Sequence, residues 1–393
     1  MCYIAEKIDK KIWKNSIAGC LLVVMCLWLA VGWFVPARVS AASIGISAYA
    51  CVLMEAQSGR ILYGQRENET LPMASTTKIM TALLALESGD LDTPFQADEQ
   101  SIMVEGSSMG LLPGDTVTMR DLCYGMLLSS GNDAANLAAV KISGSQEAFA
   151  QKMNDRAAAI GMEQTHFVTP SGLNHEDHYS TAYDMALLAR EALENPDFLE
   201  ICGQEKAKLC FGNPPYTRWL SNHNRLLETY EGCIGVKTGF TKAAGRCLVS
   251  AAERNGIRLI CVTLNAPNDW QDHTKLLDWG FSALSPTELC PDLKETEVSV
   301  VGSRTEQVTV EAQPVTVPLT AEEQGKVTYE ILLDPFYYAP VKQGDVLGSY
   351  RCIIDGFPVA EGDILAKEQA TIHTEKKNLW ESFIQRLRQL FFR

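Results

Sequence analysis

MASTTKIMTALLALESG, residues 73–89, sets a hydroxyl and an amine three positions apart where a strongly apolar helix should begin, and Gly89 ends that helix. Side chains three apart on a helix share a face, so Ser75 and Lys78 can touch. Two chemistries fit the pair. Either Ser75 is a plain helix cap and Lys78 a solvated side chain, or Ser75 is a nucleophile and Lys78 its base. The S-x-x-K spacing does not choose between them, because chance matches are common.

Two further short motifs do choose. Ser130-Gly131-Asn132 breaks the helical stretch RDLCYGMLLSSGNDAANLAAVKISG (120–144), 55 residues after Ser75. Lys237-Thr238-Gly239 lies in the Gly-rich strand CIGVKTGFT (233–241), 105 residues after Asn132. Each has a bland alternative: Asn132-Asp133 as the cap of a second helix, Lys237 as a strand-edge charge. Three such motifs in this order, each in a suitable setting, point instead to serine acyl transfer.

Around them the chain is α+β. YACVLMEAQSGRILYGQRE (49–67) alternates and breaks at Ser58-Gly59, the pattern of a hairpin. Residues 146–160 and 181–194 have helical period. RCLVSAAERNGIRLICVTLNA (246–266) is strand, turn at Asn255-Gly256, strand, and HTKLLDWGFSAL (273–284) is a closing helix. After Pro286 short alternating runs separated by turn residues indicate a small all-β domain. The expected divisions are a signal peptide or N-terminal anchor (1–42), a catalytic domain (43–286), a small β-sandwich-like domain (287–372) and an amphipathic helix (373–393).

The three motifs resemble those of the serine penicillin-binding proteins, and among these the low-molecular-mass D-alanyl-D-alanine carboxypeptidases. GSSMGLLPGD (106–115), THFVTPSGL (165–173), STAYDMALLA (180–189) and GVKTGFTKAAGRCLVSA (235–251) are similar to that family as well. NAPNDWQDH (265–273) resembles its sporulation-associated members. The resemblance implies an antiparallel sheet flanked by helices, as in β-lactamases. It implies removal of the terminal D-alanine of a peptidoglycan pentapeptide through an acyl-enzyme, with β-lactam antibiotics as covalent inhibitors and no metal or organic cofactor. Ser75 is then the nucleophile and Lys78 its base, neutral because burial and Lys237 lower its pKa. Ser130 relays the proton to the leaving amine, and Asn132 holds Lys78 and the substrate amide. Lys237 and Thr238 bind the terminal carboxylate, and the N–H groups of Ser75 and of Phe240, just after Gly239, form the oxyanion hole.

Two segments depart from the family. SNHNRLL (221–227) offers His223 and Arg225 where many members place a carboxylate-binding Arg. The loop 265–273 carries Asp269, Trp270 and Asp272 where others are often basic. Two rival functions are a β-lactamase on the same scaffold and a non-catalytic cell-wall binding protein. The first would need a glutamate to activate water; REALEN (190–195) offers Glu191 and Glu194, but not in the expected pattern. A dead homologue should have lost Ser75, Lys78 or Lys237, and all are present.

Composition narrows the setting. Lys7, Lys10, Lys11 and Lys14 precede an uncharged apolar run (17–35), and PARVSAAS (36–43) fits a cleavage site, so the body is expected outside the cytoplasm. The first 42 residues carry five basic and two acidic residues, which leaves the remainder of a chain of net charge −14 at −17. Such an acidic body excludes a nucleic-acid partner. The tail KKNLWESFIQRLRQLFFR (376–393) has aromatics on one helical stripe and basic residues around it, which suits an anionic membrane surface. Nine cysteines follow residue 42, none in C-x-x-C, and most are expected to be small buried hydrophobes. GSSMG (106–110) matches a nucleophile elbow but runs into a turn, and His175 and His178 sit in a polar segment that suggests solvated side chains rather than metal ligands.

Overall fold

The structure, a computed structural model of the chain, describes residues 44–373, 383, 384 and 386–388. The expected export segment (1–42) and nearly all of the expected membrane-associating helix (373–393) lie outside the described residues. Phe383, Ile384 and residues 386–388 are helical and exposed.

Strands β1 (Ala50–Glu55) and β2 (Ile61–Gln65) form the hairpin. A 3₁₀ turn (Ala74–Thr77) opens helix α1 (Lys78–Leu86). The next segment holds β3 (Phe95–Gln96), the one-turn helix α2 (Glu99–Ile102) and β4 (Thr116–Val117). Helix α3 (Met119–Leu127) starts on a capping box between Thr118 and Asp121, which satisfies two otherwise open donors. Helix α4 (Asn132–Ser143) ends at the left-handed Gly144. Then come α5 (Gln146–Ile160), α6 (Ala182–Leu193) and α7 (Pro196–Cys202), capped by Ser145, Thr181 and Asn195. A hairpin of β5 (Lys206–Gly212) and β6 (Pro215–Ser221) and the short α8 (Leu226–Thr229) precede β7 (Cys233–Thr241), β8 (Gly245–Arg254) and β9 (Ile257–Leu264). Helix α9 (Asp269–Ala283) begins four residues earlier than expected: Asp269 and Asp272, assigned to a loop, form its first turn, where negative charge complements the helix dipole.

The central sheet is antiparallel, in the order β2-β1-β9-β8-β7, which leaves β7 at an edge. Successive residues point to opposite faces. Val249 and Val262 therefore pack with Leu83, Leu122 and Phe149 of the helical layer. Leu248 and Leu259 pack with Leu276 and Leu277 of α9. Gly280 lets α9 approach closely, since a Cβ there would lie 2.7 Å from Leu53 and Leu259 side-chain carbons.

The second lobe is all β. It contains β10 (Ser285–Leu289), β11 (Glu297–Val301), β12 (Gln307–Ala312), β13 (Val315–Leu319), the turn of helix α10 (Ala321–Gln324), β14 (Thr328–Leu333), β15 (Phe336–Tyr338), β16 (Val346–Ile354) and β17 (Phe357–Ala366). A six-stranded sheet runs β14-β16-β17-β12-β11-β15, and β10 pairs with β13. Its core is separate from that of the first lobe and centres on Val310, Val317, Tyr350 and Ile364. Arg60 ties the lobes together: it reaches Glu55 at 3.3 Å, Glu323 at 2.9 Å and the Pro318 carbonyl. All nine described cysteines are free; six are buried, while Cys210 and Cys290 are exposed.

Candidate active site

Met73 and Ala74 are buried, and Ala74 has φ +49°, so the chain turns sharply to present Ser75 ahead of α1. Lys78, the first residue of α1, is fully buried and so is not the solvated side chain of the bland alternative. Its Nζ lies 3.1 Å from Ser75 Oγ, 2.7 Å from Asn132 Oδ1 and 2.6 Å from the Ser171 carbonyl. Burial lowers its pKa well below the usual lysine value; Lys237 lowers it further, and Asp133 opposes the shift.

The other motifs converge on the same place. Ser130 is buried in the break between α3 and α4, at φ +59°. Asn132 sends its Nδ2 to the Glu105 carbonyl at 2.7 Å, which turns its oxygen toward Lys78. Lys237 is buried on β7, donates to the Thr238 carbonyl at 2.9 Å, and has its pKa lowered by burial to about 7. Gly239 is where β7 meets the Ser75 turn: a Cβ there would lie 3.1 Å from Met73 O, Ser75 N and Thr76 N. That contact brings the Ser75 turn against β7 one residue before Phe240. A groove of about 830 Å3 runs over these residues, lined by Ser75, Ser130, Thr238, Gly239, Phe240 and Arg246 among others.

The two departing segments both reach the groove. His223 and Arg225 line it. Arg246, cross-strand partner of Phe240, is held by Asp269 at 2.9–3.0 Å and lies 5.6 Å from the Trp270 ring centre. Asp269 is buried and so acts on Arg246 rather than on solvent. Asp272 is also buried and accepts from Ser47 and Ala48 at the start of the described chain.

The solvated reading of His178 is wrong. Its side chain is 3% exposed; Nδ1 accepts from the Val168 N–H at 3.0 Å and Nε2 meets Thr77 Oγ1 at 2.8 Å. Thr77 Oγ1 donates to the Ala74 carbonyl, so the Nε2–H donates to Thr77. Burial pushes the His178 pKa down to about 4. His175 is exposed, and among the described residues no cluster of three His, Cys, Asp or Glu could hold a metal ion. Ser108 of the elbow-like GSSMG donates to Asp133 at 2.6 Å. Glu191 and Glu194 form ion pairs with Arg156 and Arg258 and do not line the groove. Sequence reasoning missed the Ser171 carbonyl, the Arg246–Asp269 pair and the many partners of Asp133.

Known proteins are similar to this chain over most of its length. Residues 37–268 match the family described as D-alanyl-D-alanine carboxypeptidase, and residues 292–371 match the C-terminal domain of penicillin-binding protein 5. The carboxypeptidase DacF of Bacillus subtilis is 35% identical over 334 residues, covering 82% of this chain and 85% of the relative. DacC of Escherichia coli is 31% identical over 366 residues, covering 88% and 90%. The structure of penicillin-binding protein 5 from Haemophilus influenzae superposes with a TM-score of 0.65 at 28% identity, covering 83% of this chain and 98% of that one. The chain therefore belongs to the D-alanyl-D-alanine carboxypeptidase family, a low-molecular-mass penicillin-binding protein and serine hydrolase with a penicillin-binding-protein-like catalytic fold and a C-terminal all-β domain.

Proposed function

We propose that the protein removes the terminal D-alanine from peptidoglycan stem peptides through an ester on Ser75. The observation that carries this is the triple contact of the buried Lys78 amine with Ser75, Asn132 and the Ser171 carbonyl. Ser75 Oγ attacks the carbonyl carbon of the penultimate D-alanine, and its proton passes to Lys78. The developing oxyanion sits against the N–H groups of Ser75 and Phe240. As the C–N bond breaks, Ser130 relays a proton to the amine of the departing D-alanine. Water then hydrolyses the ester and frees Ser75. Asn132 orients the substrate amide, while Lys237 and Thr238 receive the terminal carboxylate. A β-lactam follows the first half of this course, but its ring amine stays tethered, so the ester on Ser75 persists.

The basic, aromatic composition of residues 376–393 and the apolar run at 17–35 support a protein exported and held at the outer face of the cytoplasmic membrane, with its tail on anionic lipid. The resemblance of residues 265–273 to sporulation-associated members supports a role of that kind.

Purified protein incubated with a D-Ala-D-Ala-terminated peptide is expected to yield the peptide shortened by one alanine, detected by mass spectrometry. Ser75→Ala is expected to yield none while remaining folded by circular dichroism. Full turnover by Ser75→Ala contradicts the assignment.

A further inference from the structure

Asp133 follows Asn132 and resembles an ordinary first-turn residue of α4. It is 2% exposed, and its carboxylate collects five donors. Oδ1 accepts from Met109 N at 2.9 Å and Ala134 N at 2.9 Å. Oδ2 accepts from Ser108 Oγ at 2.6 Å, Gly110 N at 3.1 Å and Leu111 N at 3.1 Å. Only one of the five, Ala134 N, belongs to the helix that Asp133 sits in; the other four come from the loop containing GSSMG. A helix cap has no need of this convergence. A buried carboxylate with several N–H partners fixes the backbone that supplies them.

That loop is what holds Asn132. Ser107 O accepts from Asn132 N at 2.7 Å, and Glu105 O accepts from Asn132 Nδ2 at 2.7 Å. Gly106, at φ +90°, passes so close that a Cβ would lie 2.7 Å from Asn132 Nδ2. The orientation of the Asn132 amide, and so the acceptor offered to Lys78, depends on where residues 105–107 lie. Ser107 also lines the groove. The charged groups that act on Lys78 are Lys237 from β7 and Asp133 from α4, of opposite sign.

Building on the acyl-enzyme assignment to Ser75, we infer that Asp133 is a positioning residue: its carboxylate clamps the 105–111 loop and so sets the Asn132 amide that faces Lys78. Asp133 touches no reacting atom. Asparagine in its place keeps the shape but removes the charge, and its NH2 group cannot accept from Gly110 N and Leu111 N.

The test is the second-order rate of Ser75 acylation by a fluorescent penicillin across pH, for wild type, Asp133→Asn and Gly106→Ala, with thermal unfolding as the folding control. Asp133→Asn is expected to lower the maximal rate by about 10–100-fold and to move the acid-side limb to lower pH, because a cation at Lys78 loses its compensating charge. Gly106→Ala, which displaces the Asn132 amide and leaves the charge in place, is expected to lower the maximum without moving the limb. A folded Asp133→Asn protein with a wild-type maximum and an unmoved limb, or a Gly106→Ala protein with wild-type rates, overturns the positioning role. If Asp133→Asn does not fold, Gly106→Ala together with Ser108→Ala decides: two wild-type maxima overturn the clamp, and two lowered maxima with unmoved limbs support it. Absence of wild-type acylation at Ser75 would count against the acyl-enzyme assignment itself, not against Asp133.

Discussion

A neutral amine has two N–H donors and one lone pair, and the surroundings of Lys78 offer that pattern. Asn132 Oδ1 and the Ser171 carbonyl can only accept, so they take the two N–H groups, and the lone pair is left for the Ser75 hydroxyl. Lys237 is buried too, yet the task proposed for it differs: a lysine that receives a carboxylate must be charged. Replacing it with alanine should therefore reduce kcat/KM for a peptide with a free C-terminal carboxylate by about 10–100-fold, the value of a hydrogen bond to a charged group. The same peptide as its C-terminal amide should lose much less, and equal losses for both would contradict the role. His178 allows a stability prediction. Its pKa falls from 6.5 to about 4 on folding. Between these values the unfolded chain takes up a proton that the native state refuses, so stability falls as pH drops through that window, by up to about 3 kcal/mol. Chemical denaturation at pH 7 and pH 4.5 should show this loss, and His178→Gln should show a smaller one. His273, buried between Ser250 and Thr263 with its pKa lowered to about 3, adds to the loss in both proteins.

At the level of elements, the oxyanion site proposed between the N–H groups of Ser75 and Phe240 depends on the close contact between β7 and the 3₁₀ turn. Gly239→Ala should push them apart, because its Cβ meets three backbone atoms at 3.1 Å. We expect acylation to slow by about 10–100-fold with little change in thermal unfolding; an unchanged rate would mean that β7 does not set the oxyanion site. Much of this was legible in the sequence. The helix after Ser75, the break at Ser130 and the Gly-rich strand each leave a local pattern, because each needs a special backbone: the left-handed Ser130, the close approach at Gly239. What was not legible is carried by contacts without a local pattern. Every residue has a carbonyl, so nothing singles out that of Ser171. His178 sits between acidic and polar neighbours and looks solvated, yet it is buried by Thr77, 101 residues away. Asp133 looks like a helix cap because its four loop partners precede it by 22–25 residues. The start of α9 was missed for a related reason: Asp269 and Asp272 read as loop charges until Arg246 and Ser47 are seen to meet them.

Over the whole molecule, the site takes Ser75 and Lys78 from one segment, Ser130 and Asn132 from a second and Lys237 from a third, gathered between the helical layer and the edge of the sheet. The all-β lobe, fastened through Arg60, follows it in the chain and leads toward the basic tail. Among the described residues no helix is long and apolar enough to cross a membrane. Removing residues 376–393 should release signal-cleaved protein from membranes while soluble activity persists; continued sedimentation with membranes would place the anchor elsewhere. The central claim is that a neutral Lys78 takes the Ser75 proton. Its most direct test is the acylation rate against pH for wild type and Lys78→Arg, both checked for folding by circular dichroism. Helix propensity hardly differs between the two side chains, but arginine cannot give up its proton. The wild-type rate should rise with pH as Lys78 loses its proton and fall again above about 7 as Lys237 loses its own. Lys78→Arg should fold and acylate slower by several orders of magnitude at every pH. A well-folded Lys78→Arg protein with a near-normal rate would contradict the account.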